Sequence, residues 1–320
     1  MIEVCVVGEL NLDLIFYGLP RDLSPDVELL ASGMSLTLGS SSAIFAHNLC
    51  VLGTRVGFVS KIGADPLGKI ALERLSSSGV DISCVKQASG GTSTGITVVL
   101  PHEKSRYMLT YPGTMFEMEY ADIDMDYALS ARHFHLSSFF LHRALRRNII
   151  DLFRRAKEAG LSTSLDTNDD PDDVWGNDLH DVLHYVDVVL PNEREAKKIA
   201  GAQDLSEALN FLAGLSKVVV VKRGARPAIC RSGGQQWELA PPQVRMVDDV
   251  GAGDTFNSGF IHQYLRGAKL EDCLAFANLA AAYSVTKTGG TEAFRDGDGW
   301  HAFLDSQSNS MGQETLPVQD

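Results

Sequence analysis

The sequence predicts an α/β fold built on a doubly wound, mostly parallel sheet flanked by helices, with a small β-lid. From residue 130 onward, apolar runs of four or five residues alternate with helical segments, which is typical of buried parallel strands joined by helices. The segments 14–38 and 92–111 break this alternation, and the second contains two strand-like runs around a polar turn at 101–105. A chain of 320 residues is long enough for one large α/β domain with such an appendage.

The individual elements follow from apolar runs and from the glycines that end several helical patterns. The predicted core strands cover residues 4–8, 56–62, 133–136, 162–165, 186–190 and 218–221. The predicted helices cover residues 42–52, 67–77, 143–159, 178–184, 193–200, 206–212, 255–266 and 270–287.

These elements divide the chain into a core, a lid and a tail. The core is expected to bind nucleotide and substrate, and it comprises residues 1–13, 39–91 and 112–304. The lid comprises residues 14–38 and 92–111. The polar segment 305–320 is predicted to be a disordered tail.

Composition restricts the partners and the compartment. The 28 basic and 41 acidic residues give a net charge of −13, which opposes binding to nucleic acid or to an anionic membrane surface. The five cysteines are scattered and form no CxxC pair, as expected of free thiols in a reducing compartment. With no apparent signal peptide or membrane span, we predict a cytoplasmic protein whose partner is a small molecule.

The strongest chemical signal is the glycine-rich turn Gly251-Ala252-Gly253, which comes just before a predicted helix. Backbone amides without shielding side chains at a helix start form an anion hole. Asp254 follows directly, where a carboxylate would repel a phosphate but could accept a proton from a hydroxyl that attacks it. An N-capping aspartate after a glycine-rich turn explains the same residues equally well on spacing alone.

Residues 247–256 resemble the DTxGAGDxF signature of the ribokinase-like (PfkB) carbohydrate kinases, and the resemblance extends over roughly residues 3–294. It implies phosphorylation of a primary hydroxyl by ATP with Mg²⁺, with K⁺ as a candidate activator. In these terms the Gly251-Ala252-Gly253 amides receive the transferred phosphoryl group and Asp254 is the general base. The lids of this family often pair between subunits, which suggests a homodimer formed through the lid.

Three further segments resemble the family's acceptor site. Asn11 and Asp13 match the family's GxxNxD motif, whose polar side chains bind sugar hydroxyls. Gly39 and Ser40 match its glycine pair, with Ser40 in place of the second glycine, and Ser137 ends a strand that leads to the sugar site. Ile44 stands where the family has a sugar-binding asparagine, which argues against ribose as the acceptor.

Five more positions resemble residues of the family's nucleotide site. Asn192 and Glu195 match the NxxE motif, whose glutamate holds magnesium through water, although the same residues form a helix capping box. Lys222 and Gly224 match the loop that closes over the nucleotide, and Asn278 matches the helix residue beside the adenine.

A monovalent cation site is implied at Asp248 and Val250, two positions where the family often uses backbone carbonyls. Asp249 departs from the common threonine between them and adds a charge, so the fate of that site stays open.

Two alternatives to a sugar kinase remain open at this point. The first is a nucleoside kinase of the same fold, for which Ile44, Phe16 and Phe139 could supply an apolar wall. The second is a non-catalytic protein that senses a sugar or nucleoside. A nicotinamide-dependent oxidoreductase is disfavoured, because residues 8–13 lack the GxGxxG pattern.

Overall fold

The computed structural model describes residues 2–20, 24–102 and 105–313. Within these ranges nine strands form a central sheet, in the order β13-β12-β11-β10-β9-β8-β1-β4-β5. The seven strands from β11 to β5 in that order are parallel, while β12 and β13 add an antiparallel edge. The strands of this sheet are β1 (Val4–Val7), β4 (Val56–Ile62), β5 (Asp81–Gln87), β8 (His133–Ser137), β9 (Ser162–Asp166), β10 (Val188–Val189), β11 (Val218–Val221), β12 (Ala228–Ser232) and β13 (Gln235–Leu239).

Helices cover both faces of this sheet and create two apolar cores. The strands are buried on both sides, so successive residues alternate between the cores: Val4 and Val6 face one, whereas Cys5 and Val7 face the other. The helices are α1 (Ser41–Val51), α2 (Pro66–Ser77), α3 (Met125–Leu129), α4 (Ile149–Glu158), α5 (Asn177–Leu183), α6 (Glu193–Ala200), α7 (Leu205–Ala213), α8 (Ala252–Tyr264), α9 (Leu270–Ser284) and α10 (Gly297–Gln313).

The predicted α/β fold is confirmed, and α6 coincides with its predicted bounds. Helix α4 begins six residues later than expected, because Arg146–Asn148 form a 3₁₀ turn before it. Strands β5, β12 and β13 were not predicted.

The lid is a separate four-stranded sheet in the order β3-β2-β6-β7. Its strands are β2 (Asn11–Tyr17), β3 (Gly33–Leu38), β6 (Gly95–His102) and β7 (Ser105–Tyr111). Strands β6 and β7 form the predicted hairpin. The lid begins at Asn11 rather than at residue 14, so Asn11 and Asp13 belong to the lid and not to the end of the first core strand.

The end of the chain also differs from expectation. Residues 305–313 continue helix α10 instead of lying in a disordered tail, and residues 314–320 fall outside the described ranges. The helix is anchored near its start, because Trp300 and Phe303 both pack on Tyr283 with ring centroids 5.3 Å apart.

The strand order creates the crevice that holds the site. The chain winds from β1 through β4 to β5 in one direction and from β8 to β11 in the other, so the order reverses between β1 and β8. In open α/β sheets, ligands bind outside the carboxyl ends of the strands at such a reversal. The lid strands leave and re-enter the core at this same edge.

Two further features bear on earlier expectations. All five cysteines lie in the described part of the chain as free thiols. No helix within the described ranges is long and apolar enough to cross a lipid bilayer.

The fold itself can be tested at helix α8. Phe260 is fully buried in the core, whereas Phe211 on α7 is 38% exposed. We expect Phe260→Ala to lower the free energy of unfolding by about 3–5 kcal/mol, because it leaves a cavity. The matched variant Phe211→Ala should cost less than about 1.5 kcal/mol, since less apolar area is lost. Urea unfolding measures both, and equal losses would contradict the core assignment.

Candidate active site

The glycine turn lies at the start of helix α8, as predicted. Gly251 is the N-cap residue and has a left-handed backbone with φ +71°. A Cβ atom at this position would lie 2.5 Å from Cα of Gly290 and 3.2 Å from two carbons of Ile44. The turn therefore needs glycine for its backbone conformation and also for the close approach of its neighbours.

The amides of this turn are only partly available for an anion. Because α8 starts at Ala252, the first-turn amides have no partner one turn earlier in the helix. The Ala252 amide does donate to the Asp249 carbonyl, over a long distance of 3.3 Å. Lys222 lies beside the turn, with Nζ 3.7 Å from the position of a Cβ on Gly253. The turn thus combines backbone donors with an adjacent ammonium group.

Asp254 stands in the first turn of α8 and is partly exposed toward the crevice. Desolvation and the nearby charge of Asp166 raise the pKa of Asp254 to about 7, although Lys222 and a hydrogen bond from Ser41 oppose this shift. A carboxyl with a pKa near the working pH is suited to accept a proton.

Asp13 faces Asp254 from the lid. Burial raises the pKa of Asp13 to about 7, and the charge of Asp254 adds to the shift. Gly39 packs against it, because a Cβ there would lie 2.3 Å from Asp13 Oδ1. Asn11 is buried beside them, and its Oδ1 has no hydrogen-bond partner. A buried acceptor without a donor is costly, so this oxygen is ready for a ligand hydroxyl.

Two of the predicted acceptor residues have their hydroxyls engaged by the protein. Ser40 caps α1: its Oγ donates to the Glu9 carbonyl at 2.7 Å and accepts from the Ala43 amide at 3.2 Å. Ser137 is 1% exposed, and its Oγ lies 2.8 Å from His135 Nε2 inside the sheet. Neither hydroxyl is turned to the crevice.

Ile44, Phe16 and Phe139 do not form a common wall. Ile44 is buried against Gly251 and Gly290. Phe16 lies on the opposite face of β2 from Asp13, since side chains alternate along a strand. Phe139 is fully buried in the core below Arg146, whose guanidinium lies 4.0 Å from the ring centroid. The apolar wall expected from these three residues is therefore wrong.

Lys222 is held at the edge of the sheet by Asp166. Its Nζ donates to Asp166 Oδ2 at 2.7 Å, and Asn257 of α8 donates to the same oxygen. Burial lowers the pKa of Lys222, but Asp166 and Glu195 more than offset this, so the ammonium stays charged. A fixed cation beside the glycine turn is suited to phosphate binding.

Glu195 and Asn192 form the predicted capping box at the start of α6. Asn192 Oδ1 accepts from the Glu195 amide at 2.9 Å, and the Asn192 amide donates to Glu195 Oε2 at 2.8 Å. Burial and the charge of Asp166 raise the pKa of Glu195 to about 7. A cation nearby would favour the ionised forms of Glu195 and Asp166. Carboxylate oxygens are hard donors of the kind that suits Mg²⁺.

Two predicted nucleotide-site residues lie farther along this edge. Gly224 has φ +62° with open space around it, in the loop after β11. Asn278 is 5% exposed on α9, and its Nδ2 donates to the Leu239 carbonyl at 2.9 Å. The Asn278 amide thus ties α9 to the end of β13.

Asp248 and Asp249 connect the turn to the lid. Asp248 Oδ1 accepts from the Val250 amide, and its Oδ2 accepts from the Tyr17 hydroxyl at 3.1 Å and the Gly289 amide at 2.9 Å. Asp249, which replaces the family threonine, forms an ion pair with Arg106 of β7. Both aspartates therefore hold lid strands over the site.

The structure adds five residues to those that the sequence analysis assigned to the site. Asp166, Asn168, Glu9, Ser41 and Arg106 all lie at this edge and contact one or more of the residues above. Asp166 and Asn168 were visible as polar residues directly after a strand. The contacts of the other three join distant segments of the chain, which no local pattern predicts.

Fold and site together define a ribokinase-like kinase. A model of the pfkB family of carbohydrate kinases matches residues 1–296. The chain belongs to this family and is a carbohydrate kinase.

The comparisons with individual proteins agree with this assignment. The chain is 30% identical to a cytidine kinase of Thermococcus kodakarensis, over 91% of this chain and 98% of that protein. It is 28% identical to an uncharacterized sugar kinase of Archaeoglobus fulgidus, over 75% of this chain and 95% of the relative. A putative ribokinase II from E. coli in complex with ATP and Mg²⁺ has the same fold, with a TM-score of 0.82, 24% identity and coverage of 96% and 100%.

The close packing at Gly251 gives a stability prediction with a matched control. Gly267 also has a left-handed backbone, φ +74°, but a Cβ there meets no heavy atom within 4 Å. Each change to alanine should lower the free energy of unfolding by about 1–2 kcal/mol, because alanine is strained in a left-handed backbone. Gly251→Ala should cost about 1–3 kcal/mol more, because its methyl group overlaps Gly290. Urea unfolding compares the two, and equal losses would show that the contact is not tight.

Proposed function

We propose that this chain transfers the γ-phosphoryl group of ATP to a primary hydroxyl of a sugar or sugar-like small molecule, with Asp254 as general base. The observation that carries the proposal is the position of Asp254 in the first turn of α8, next to the glycine turn that Lys222 adjoins, and near enough to Asp13 of the lid for their charges to interact. Asp13 would orient the acceptor from the lid, while Asp254 faces the reacting hydroxyl.

In this reaction the acceptor oxygen forms a bond to the γ-phosphorus as the bond to the β-phosphate oxygen breaks. The hydroxyl proton passes to Asp254, and ADP leaves. The amides of Gly251, Ala252 and Gly253 would receive the negative charge of the transferred group, with Lys222 beside them. Such catalysis depends on positioning and on fixed charges.

Magnesium would be held near Glu195 and Asp166 and would neutralise phosphate charge. No group of three or more potential ligand side chains is arranged to hold a metal within the described ranges. Coordination mainly by phosphates and water, with the carboxylates behind, fits this arrangement. A K⁺ site at Asp248 and Val250 also stays a proposal.

The acceptor side favours a hydroxyl-rich molecule. Asn11 and Asp13 present acceptors for hydroxyl donors, and Thr97 and Thr110 of the lid lie on the same face, with their hydroxyls 3.1 Å apart. The second candidate is a nucleoside, which also carries sugar hydroxyls. It is favoured by the cytidine kinase relative and by two buried residues farther along this face, Ile15 and Val99.

The base assignment is tested by Asp254→Asn. Turnover should fall by about 10²- to 10⁴-fold, because the asparagine side chain cannot accept the hydroxyl proton. ADP release is measured across pentoses, hexoses, ketoses and nucleosides, with and without potassium. In the parent, kcat/KM for the acceptor should decline as the pH falls through about 7, since protonation of Asp254 removes the base.

Asp272→Asn, an exposed change on α9, is the control and should retain parental turnover. Retained acceptor binding by Asp254→Asn, seen by calorimetry, supports the kinase. Parental turnover in that variant would exclude Asp254 as the base. A parent that binds an acceptor without releasing ADP would instead support a sensor.

We also propose that the chain forms a homodimer through the outer face of the lid, the face opposite Asp13. Met34, Leu109 and Tyr111 share this face and are 52–64% exposed. Leu109 and Tyr111 are neighbours along β7, and Met34 lies on β3 at the other edge of the same face. Exposed apolar side chains on one face of a sheet mark interaction sites.

Leu109→Glu should weaken such a dimer by at least about ten-fold, because a charge would have to be buried. Val174→Glu, at a residue 73% exposed outside the lid, is the control and should leave the dimer intact. Sedimentation velocity over a concentration series measures the association, and a monomeric parent would overturn the proposal.

A further inference from the structure

Arg106 lies on the inner face of the lid, the face that carries Asp13. Strand pairing places Asp13 opposite Thr97, and Thr97 opposite Thr110 of β7. Side chains alternate along a strand, so Arg106, four residues before Thr110, shares this face. Among the inner-face residues of the described lid strands, Arg106 is the only one with a positive charge.

The rows of side chains on this face change in character from the root of the lid toward its tip. The row of Asp13 is polar. The next row toward the tip is apolar and comprises Ile15, Val99 and Met108. Arg106 belongs to the row after that, and at about 3.3 Å per residue the Asp13 and Arg106 rows are about 13 Å apart along the strands. A molecule whose hydroxyls bind at Asp13 would therefore approach Arg106 with its opposite end.

Asp249 engages the guanidinium group of Arg106. Arg106 Nη1 donates to Asp249 Oδ1, and the two charges form an ion pair. Asp249 lies two residues before Gly251, and its carbonyl accepts from the Ala252 amide at 3.3 Å. The ion pair therefore joins the inner face of the lid to the segment that leads into the glycine turn.

The other charges around this side of the crevice are carboxyl groups. Burial raises the pKa of Asp13 to about 7, and the charges of Asp254 and Asp248 add to this shift while Arg106 opposes it. All three aspartates thus lie near Arg106, whose own charge is balanced by Asp249. An anionic group that entered here would be repelled by the carboxylates and would have to displace Asp249 from its arginine.

The ion pair itself lies at the rim of the crevice. The side chain of Arg106 is 36% exposed and that of Asp249 is 61% exposed. Exposed pairs of this kind contribute little to stability, so the fold should tolerate the loss of Asp249. A guanidinium group carries five N–H donors in a planar fork that matches carboxylates and phosphates. Without Asp249, Arg106 would be able to bind such a group on a ligand.

We propose that Asp249 is a specificity-determining residue that restricts this kinase to uncharged acceptors, because it neutralises the lid arginine that would otherwise pair with an acceptor phosphate or carboxylate. The inference deepens the proposed function and rests on it. An anionic acceptor would lose its hydration under the lid and find the guanidinium group already paired. Uncharged sugars and nucleosides need no such partner, so they pay no comparable penalty.

The test compares acceptors in pairs, each an uncharged molecule and an anionic relative that keeps a primary hydroxyl. Three pairs are D-fructose and D-fructose 6-phosphate, D-glucose and D-gluconate, and cytidine and cytidine 3′-phosphate. The fourth pair is the best acceptor of the screen described above and the same molecule phosphorylated at a secondary hydroxyl. ADP release by the full-length protein gives kcat/KM for each molecule. For every pair that is phosphorylated, we expect an anionic-to-uncharged ratio of kcat/KM below about 0.1.

The variants separate specificity from a general loss of turnover, because the ratio cancels any change that affects both acceptors equally. Asp249→Asn should raise the ratio by at least about ten-fold, since Arg106 can then pair with the anion. Adding Arg106→Gln should return the ratio to near the parental value, since the cation that the anion uses is removed. Asp151→Asn, which removes an exposed arginine partner on α4, is the control and should leave the ratio unchanged.

The outcomes distinguish this inference from the proposed function. A parent that phosphorylates the anionic and uncharged members equally well would overturn the inference and leave the kinase assignment standing. A ratio for Asp249→Asn within about two-fold of the parental ratio would do the same, because a merely structural role of Asp249 lowers turnover on both members together. A parent that releases no ADP with any acceptor of the screen or the pairs would overturn the proposed function, and the inference with it.

Discussion

The structure depends on the crowding of carboxylates at one edge of the sheet around the ammonium group of Lys222. Asp166, Glu195 and Asp254 interact with this lysine, and Asp13 approaches Asp254 from the lid. Two like charges about 4 Å apart repel each other by about 4 kcal/mol at an effective dielectric constant of about 20. Burial and this repulsion together raise the pKa of Asp13, Asp254 and Glu195 to about 7. An edge of this kind would gain stability from a bound cation, which agrees with the magnesium site proposed near Glu195 and Asp166.

The lid and the glycine turn behave as one unit because the same short segment supports both. Asp248 caps the turn through the Val250 amide and also accepts from Tyr17 on the first lid strand. Asp249 pairs with Arg106 on the last lid strand. In the proposed reaction, a lid held next to the glycine turn would exclude water that competes with the acceptor. Any opening of the lid would have to break these contacts, which would link access to the site with the shape of the turn.

The sequence predicted the parts of this protein that depend on local patterns. The buried strands and helix α6 carry strong apolar runs or capping residues, and the glycine turn was placed correctly at a helix start. Strand β13 was missed because it is polar and partly exposed, and β12, which is joined to it at Gly233-Gly234 in an antiparallel edge, has only three apolar residues. Neither an apolar run nor a strand-and-helix alternation identifies such an edge.

The details of the site were less predictable, because they depend on long-range contacts. Ser137 lies at the correct strand end, but its hydroxyl bonds to His135 in the sheet. Asp13 was expected to follow the first core strand and instead lies in the lid, where it meets Asp254. Strand alternation alone would have separated Phe16 from Asp13, since their positions differ by an odd number and their side chains therefore lie on opposite faces.

Ile44 shows how one substitution can change the role of a position without removing it from the site. An asparagine there would offer hydrogen bonds to the acceptor, but the isoleucine side chain packs against Gly251 and Gly290. It is 2% exposed, so it supports the glycine turn from behind rather than lining open space. In the proposed reaction the acceptor is recognised mainly from the lid, through Asn11, Asp13 and the neighbouring threonines. Specificity then resides in the lid, while the core supplies Asp254 and the glycine turn.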